Sequence, residues 1–274
     1  MRSVVAAILA CALPGLIWAQ TVRGGDAVLA ALRLGDLLRI MQIEAVETGA
    51  DLAEGVVSGG QMVRWRATLD RINDSARLLQ VMADDFDAVL PPQDVAPILA
   101  FLETPQGVRV IGLELSARQA LLNPDIEARS EEIYRQRRAA RDPRVALVER
   151  FAQINDLVDS NVRGAMNANV AFLQGMRSGG GAPPGGQSDV EIAAQVLAQE
   201  PEIRASTEEW IHAFLLMAYA PLSDEDLGAY IAFSETSAGQ SLNRALFSAF
   251  ERIFVSTSRE TGEAFGRLLI SEDL

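Results

Sequence analysis

The chain contains no lysine; all 24 of its basic residues are arginine. Schiff-base lysines, a P-loop lysine and Ser–Lys dyads are therefore excluded. It has one histidine, His212, so no two-histidine metal site can form within the chain. A Ser–His–Asp triad would have to use His212, and no G-x-S-x-G elbow supports one. Glycine-rich phosphate loops and dinucleotide fingerprints are absent as well. The single cysteine, Cys11, lies in the N-terminal apolar run, so a chain cleaved after that run has neither a thiol nucleophile nor a disulfide. Carboxylates outnumber arginines 37 to 24, which repels polyanions and argues against a nucleic-acid partner. Sustained alternation of period two is missing, which argues against strands.

What is present begins with MRSVVAAILACALPGLIWAQ. A positive start at Arg2, an uncharged run from Val4 to Trp18 and the small Ala19 form a secretory signal-peptide pattern, residues 1–19, cleaved after Ala19. The run is shorter than the roughly 20 apolar residues of a membrane span and contains Pro14. Cys11 follows Ile8-Leu9-Ala10, a faint lipoprotein-like box, but apolar sequence continues beyond it. No later segment is long and apolar enough to span a bilayer, so no transmembrane segment is expected after cleavage.

Helical periodicity dominates the remainder. Met62, Trp65, Leu69, Ile72, Ala76, Leu79, Ala83, Phe86 and Leu90 are spaced by threes and fours, which predicts one long apolar stripe. Leu34, Leu37, Leu38, Met41 and Ala45 form an earlier stripe. Leu147, Phe151, Ile154, Val158, Val162 and Ala165 form a later one. The expected fold is all-α.

The chain also repeats itself. AFLETPQG at 100–107 returns as AFSETSAG at 232–239, and nine positions match without a gap when 90–117 is set against 222–249. Self-similarity at this spacing predicts duplication of a helical unit. Unit one spans 27–123, an arginine-rich connecting helix 124–144, and unit two 145–270. A Gly/Pro-rich loop at 179–187 interrupts unit two. In the repeated corner, Thr104 and Thr236 are read as N-caps, with Pro105 at the first helical position of one copy. Gly107 and Gly239 are costly inside a helix and imply close approach of a backbone or of a ring, Phe101 or Phe233. Glu103 and Glu235 sit beside the positive end of the new helix. Pro97 suggests that the helix before the first corner starts late, near Asp94. Pro201 is expected to break a helix after Glu200.

The stretch LSDEDLGAYIAFSETSAGQSL, residues 222–242, resembles the core of a bacterial secreted family, domain of unknown function 2059. Shared features are an acidic helix start, an aromatic-ended helix, a Ser/Thr-x-x-Gly corner and a long helix. Phe233-Ser234 lacks the family's tyrosine, and the corner proline appears only in the first copy. The resemblance implies an exported, all-helical protein of the Gram-negative periplasm. It carries no catalytic residues and no cofactor.

The carboxylates that remain for chemistry are clustered at Asp84, Asp85 and Asp87 and at Asp224, Glu225 and Asp226. They lack the turn glycine and alternating ligands of a calcium loop. The final helix offers a different feature. Leu246, Phe250 and Phe254 form an apolar edge where the first copy has Glu114, Arg118 and Leu122. Glu114 and Arg118 are expected to pair at i,i+4 on a wet surface. His212, with Glu208 four residues back on the same face, is expected to be a surface or half-buried helix residue. The arginines between the units are expected to form local ion pairs, or to dock an acidic partner. The Leu246–Phe250–Phe254 edge is either covered, by the first unit or by the tail around Phe265, or it is a site for an apolar ligand or a partner helix. The reading that follows is a non-enzymatic binding protein of the cell envelope. A carboxylate-dependent hydrolase of envelope polymers is the alternative.

Overall fold

The structure is a computed structural model that describes residues 24–181 and 187–272. The signal-peptide pattern, Cys11 and the centre of the Gly/Pro-rich loop lie outside these residues. Among the described residues every regular element is a helix. They are α1 (Gly24–Ala31), α2 (Leu34–Leu52), α3 (Gly59–Ile72), α4 (Ser75–Val89), α5 (Pro92–Leu102), α6 (Pro105–Ala120), α7 (Pro124–Ala139), α8 (Pro143–Ile154), α9 (Leu157–Ser178), α10 (Asp189–Ala198), α11 (Glu200–Ala218), α12 (Asp224–Ser234) and α13 (Ser237–Glu272). No described helix is long and apolar enough to cross a membrane.

The stripe from Met62 to Leu90 is not one helix. Asn73 turns its side-chain amide onto the Leu69 carbonyl (2.9 Å) and ends α3, and Asp74 then caps α4 by accepting from the Arg77 N–H (2.7 Å). The break rotates the buried face, so Leu78, Met82 and Phe86 enter the core while Ala76 is exposed. The later stripe breaks the same way. Asn155 donates to the Phe151 carbonyl (3.0 Å), and Asp156 follows in the left-handed region, φ 50°. Short polar side chains compete for backbone groups and so end helices that apolar spacing alone would continue.

Two further boundaries differ from expectation. The helix before the first corner starts at Pro92, not Asp94, and holds Pro97 in its interior. Pro201 lies in the first turn of α11, where its missing N–H is harmless, so the break falls at Gln199.

The two corners have the same geometry. Thr104 accepts from the Gly107 N–H and Thr236 from the Gly239 N–H, both at 3.0 Å. Each threonine hydroxyl also donates to the carbonyl three residues back, Phe101 or Phe233, at 2.7 Å. A Cβ on Gly107 would lie 2.4 Å from the Phe101 carbonyl oxygen, and one on Gly239 2.3 Å from that of Phe233. The close approach is therefore by backbone, not by ring. The rings instead meet each other: Phe101 and Phe233 stack with centroids 4.1 Å apart and planes 5° apart.

Around this stack lie two main cores. One joins α1, α2, α4, α5 and α6 to the first half of α13 through Leu38, Met82, Phe86, Ile98 and Ile253. The other joins α6, α7 and α8 to α11 and α12 through Tyr134, Val148, Tyr219 and Leu227. The closest helix pair is α9 with α13. They run parallel and in step, since Asn167 reaches Glu251 (2.6 Å) and Gln174 reaches Arg259 (3.0 Å). Further along, Gly175 and Gly179 face Gly262 and Gly266. A Cβ on any of the four would lie 2.1–2.3 Å from a carbonyl oxygen of the opposite helix. Only glycine lets the two backbones meet this closely.

Candidate functional site

Where α2 passes α13, an uncharged groove of about 530 Å³ opens. Met41, Ala45 and Leu52 line one wall from α2, and Phe254, Ser258 and Thr261 the other from α13. Leu69, Leu78 and Phe172 contribute to its depth, and no lining side chain carries a charge. Leu52 is 43% exposed and Phe254 36%, so two large apolar side chains face solvent across one groove. The size falls within the range typical of small-ligand sites, about 300–1,000 Å³.

Of the three edge residues, Phe254 alone lines this groove. It stacks on Phe250 with centroids 5.7 Å apart. Leu246 and Phe250 are half-buried against the first core. The tail around Phe265 does not cover them; Phe265 is buried against Trp65 on α3 and Phe172 on α9.

The first-copy positions behave unlike a wet surface. Glu114 does not pair with Arg118. Its carboxylate accepts from the Tyr219 hydroxyl at 2.6 Å and from Tyr230 at 3.3 Å. Some of Glu114 reaches the surface, yet no cation is hydrogen-bonded or salt-bridged to its carboxyl end. Burial therefore pushes its pKa up, only partly opposed by the two tyrosines. Burial also drives both tyrosine hydroxyls well above their ordinary value. Arg118 turns away instead, pairs with Glu44 on α2 and lies 4.9 Å over the Trp210 ring.

His212 is buried, not superficial. Its Nδ1 meets the Tyr134 hydroxyl at 3.1 Å, and that hydroxyl lies 3.3 Å from Glu149. Burial holds the imidazole below its ordinary pKa, against the opposing pull of Glu149 and Glu208. Burial also raises the Tyr134 hydroxyl to about 12. Glu149, Glu208, Asp159 and His212 border a cleft of about 380 Å³. Its carboxylates have arginine partners: Arg138 lies 3.7 Å from Glu149 and 4.0 Å from Glu208, and Arg204 lies 2.5 Å from Asp159.

The other acidic residues are dispersed. Glu103 and Glu235 are exposed, and Glu235 pairs with Arg150 at 2.6 Å. Asp85 pairs with Arg252 at 2.9 Å, Asp87 accepts from the Gly25 N–H at 3.1 Å, and Asp226 lies 3.6 Å from Arg109. No group of three His, Cys, Asp or Glu side chains among the described residues is placed to hold a metal ion.

The connecting arginines form local ion pairs, such as Arg135 with Glu132 and Arg137 with Asp142. Others reach further, Arg135 to Glu209 and Arg138 to Glu208, and Arg144 has a role that spacing did not mark. It is buried, pairs with Asp224, and donates to the carbonyls of Tyr219 (2.6 Å) and Leu222 (3.0 Å), so it caps the end of α11. Compared with protein-family models, curated proteins and solved structures, the chain gives no match.

Proposed function

We propose that this is an exported, non-enzymatic binding protein of the cell envelope whose groove between α2 and α13 takes an apolar occupant. The observation that carries the reading is the uncharged groove with Leu52 and Phe254 exposed across it. Export and a periplasmic location rest on the leader pattern and on the resemblance of residues 222–242 to domain of unknown function 2059. The hydrolase alternative gains little, because Glu103, Glu235 and the aspartate clusters do not converge on one cleft.

Titration of the mature protein with the neutral fluorophore N-phenyl-1-naphthylamine tests the reading. Saturable enhancement at one equivalent, abolished by Phe254→Arg, is expected. Enhancement that never saturates, or that Phe254→Arg leaves intact, overturns it.

The architecture also supports duplication of a six-helix unit, α1–α6 and α8–α13, with α7 joining the two. In each half the first two helices meet at a left-handed residue, Arg33 (φ 55°) or Asp156 (φ 50°). In each, the third helix starts at a serine capping box, Ser58 with Gln61 or Ser188 with Glu191. In each, an eleven-residue fifth helix runs into the Thr-capped corner.

A further inference from the structure

We infer that the occupant of the groove is an amphipathic helix of a partner protein, lying along α2 where α6 stops short; the inference rests on the reading of the groove as a binding site. The argument is a comparison of the two halves. Glu44, the eleventh residue of α2, pairs with Arg118, the fourteenth of α6. Asn167, the eleventh residue of α9, bonds Glu251, the fifteenth of α13. Up to that height the two helix pairs correspond. Beyond it they diverge.

In the second half, α13 continues to Glu272 and fills the space beside α9, the glycines holding the backbones together. In the first half, α6 ends at Ala120 and the chain turns into α7. A sixth helix as long as α13 would run 20 residues further, about 30 Å at 1.5 Å per residue. The part of α2 left without it, Ala45 to Leu52, supplies four of the seven α2 residues that line the groove, Ala45, Thr48, Gly49 and Leu52. The opposite wall begins at Ile253, the position in α13 that corresponds to Leu121, just past the end of α6. The part of the groove beyond Glu44 therefore lies where the other half seats a helix.

Its chemistry defines the partner. The wall from Leu38 to Leu52 extends about 21 Å, or roughly four helical turns. The uncharged lining calls for an apolar stripe at i, i+3/i+4 and i+7, with charges only on the outward face. Hydroxyls at Thr48, Ser258 and Thr261 favour a small polar residue at the crossing over a buried charge.

The test is a display library of helical peptides of about 16 residues, a helix of four to five turns. It is selected on the mature protein and counter-selected on Ala45→Glu. Enriched peptides are expected to carry the apolar stripe, to gain helicity on binding, and to displace N-phenyl-1-naphthylamine. Binding is expected to weaken at least about tenfold in Ala45→Glu and in Ser258→Arg, which block opposite walls. Circular dichroism and thermal midpoints establish that each variant folds, and the second substitutes for the first if it does not. If the fluorophore binds the groove yet no helical peptide is enriched, the groove takes a small apolar ligand and the helix inference falls alone. If enriched peptides bind in an extended form, it falls likewise. If the fluorophore does not bind either, the groove reading falls with it.

Discussion

The parallel pair of α9 and α13 makes a sharp prediction, because one substitution should change sign along one helix. Gly175 and Gly164 both lie inside α9. A Cβ on Gly175 would sit 2.2 Å from the Arg259 carbonyl oxygen, whereas one on Gly164 would meet nothing within 4 Å. A carbon–oxygen contact relaxes only near 3.3–3.6 Å, so Gly175→Ala must push α13 away by about 1 Å. A gap of that size forfeits a quarter to a half of the dispersion well along the contact, and overpacking of this kind costs about 1–3 kcal/mol. The intrinsic helical advantage of alanine returns only about 1 kcal/mol. Gly175→Ala is therefore expected to destabilise by up to about 2 kcal/mol net, and Gly164→Ala to stabilise by about 0.5–1 kcal/mol. In a chain of this length each kcal/mol moves the thermal midpoint by about 2–4 °C. Urea and thermal unfolding followed by circular dichroism resolve the difference. Should Gly175→Ala prove as stable as Gly164→Ala, the backbone contact is not what holds these helices together. Gly262→Ala, 2.1 Å from the Phe172 carbonyl oxygen, tests the same contact from the other side.

Two other outcomes follow from buried polar groups. Arg144→Met keeps the side-chain length but removes the charged donor to both carbonyls, leaving Tyr219 only the Leu222 N–H (2.9 Å) and depriving Leu222 of its guanidinium partner. A loss of about 2–4 kcal/mol is expected from unfolding in urea, and a change below about 0.5 kcal/mol would refute the capping role. Glu114 titrates higher in the folded state than its ordinary 4.5. Its folded state therefore holds the proton more tightly, so its contribution is complete below about pH 4.5 and is lost as pH rises through the raised value. Glu114→Gln retains an acceptor for Tyr219 and cannot ionise, so its stability relative to wild type should improve as pH rises over the interval above about 4.5. A difference that does not vary with pH over that interval contradicts the burial of this carboxyl.

How much was legible beforehand follows from which forces are local. The all-helical class was readable because apolar spacing records the helical period wherever a face is buried. The threonine caps were readable because a cap bonds within three residues. The break at Asn73 was not, since the apolar spacing runs on through a side chain that ends the helix by bonding the Leu69 carbonyl. Glu114 and Arg118 have the spacing of an i,i+4 pair, but tertiary neighbours at the end of α11 and on α2 offered each a better partner. The signal for the tight helix pair was in plain view as Gly175-x-x-x-Gly179 and Gly262-x-x-x-Gly266. Small residues four apart show that a helix can be approached closely without saying by which helix. The groove was least legible. Phe254 marked one wall, but the opening depends on where α6 ends, a fact about absent chain that no residue on α2 records.

On the duplication proposed above, the Glu114 cluster bears on why the two halves settle into one arrangement. By the offset of 132, Glu114 corresponds to Leu246 and Tyr230 to Ile98, so this contact between the halves is polar one way round and apolar the other. Corners that stack Phe101 on Phe233 with near-parallel planes would, by themselves, tolerate exchange of the halves. The carboxylate accepting from Tyr219 and Tyr230 does not, because those hydroxyls lie only on α11 and its neighbour α12. Placed against the apolar residues of the other half, Glu114 would be buried without partners, at a penalty of several kcal/mol. A buried carboxylate adds little net stability, but it penalises the wrong pairing more heavily than an apolar residue could. The half that keeps Glu114 is also the half whose sixth helix stops early.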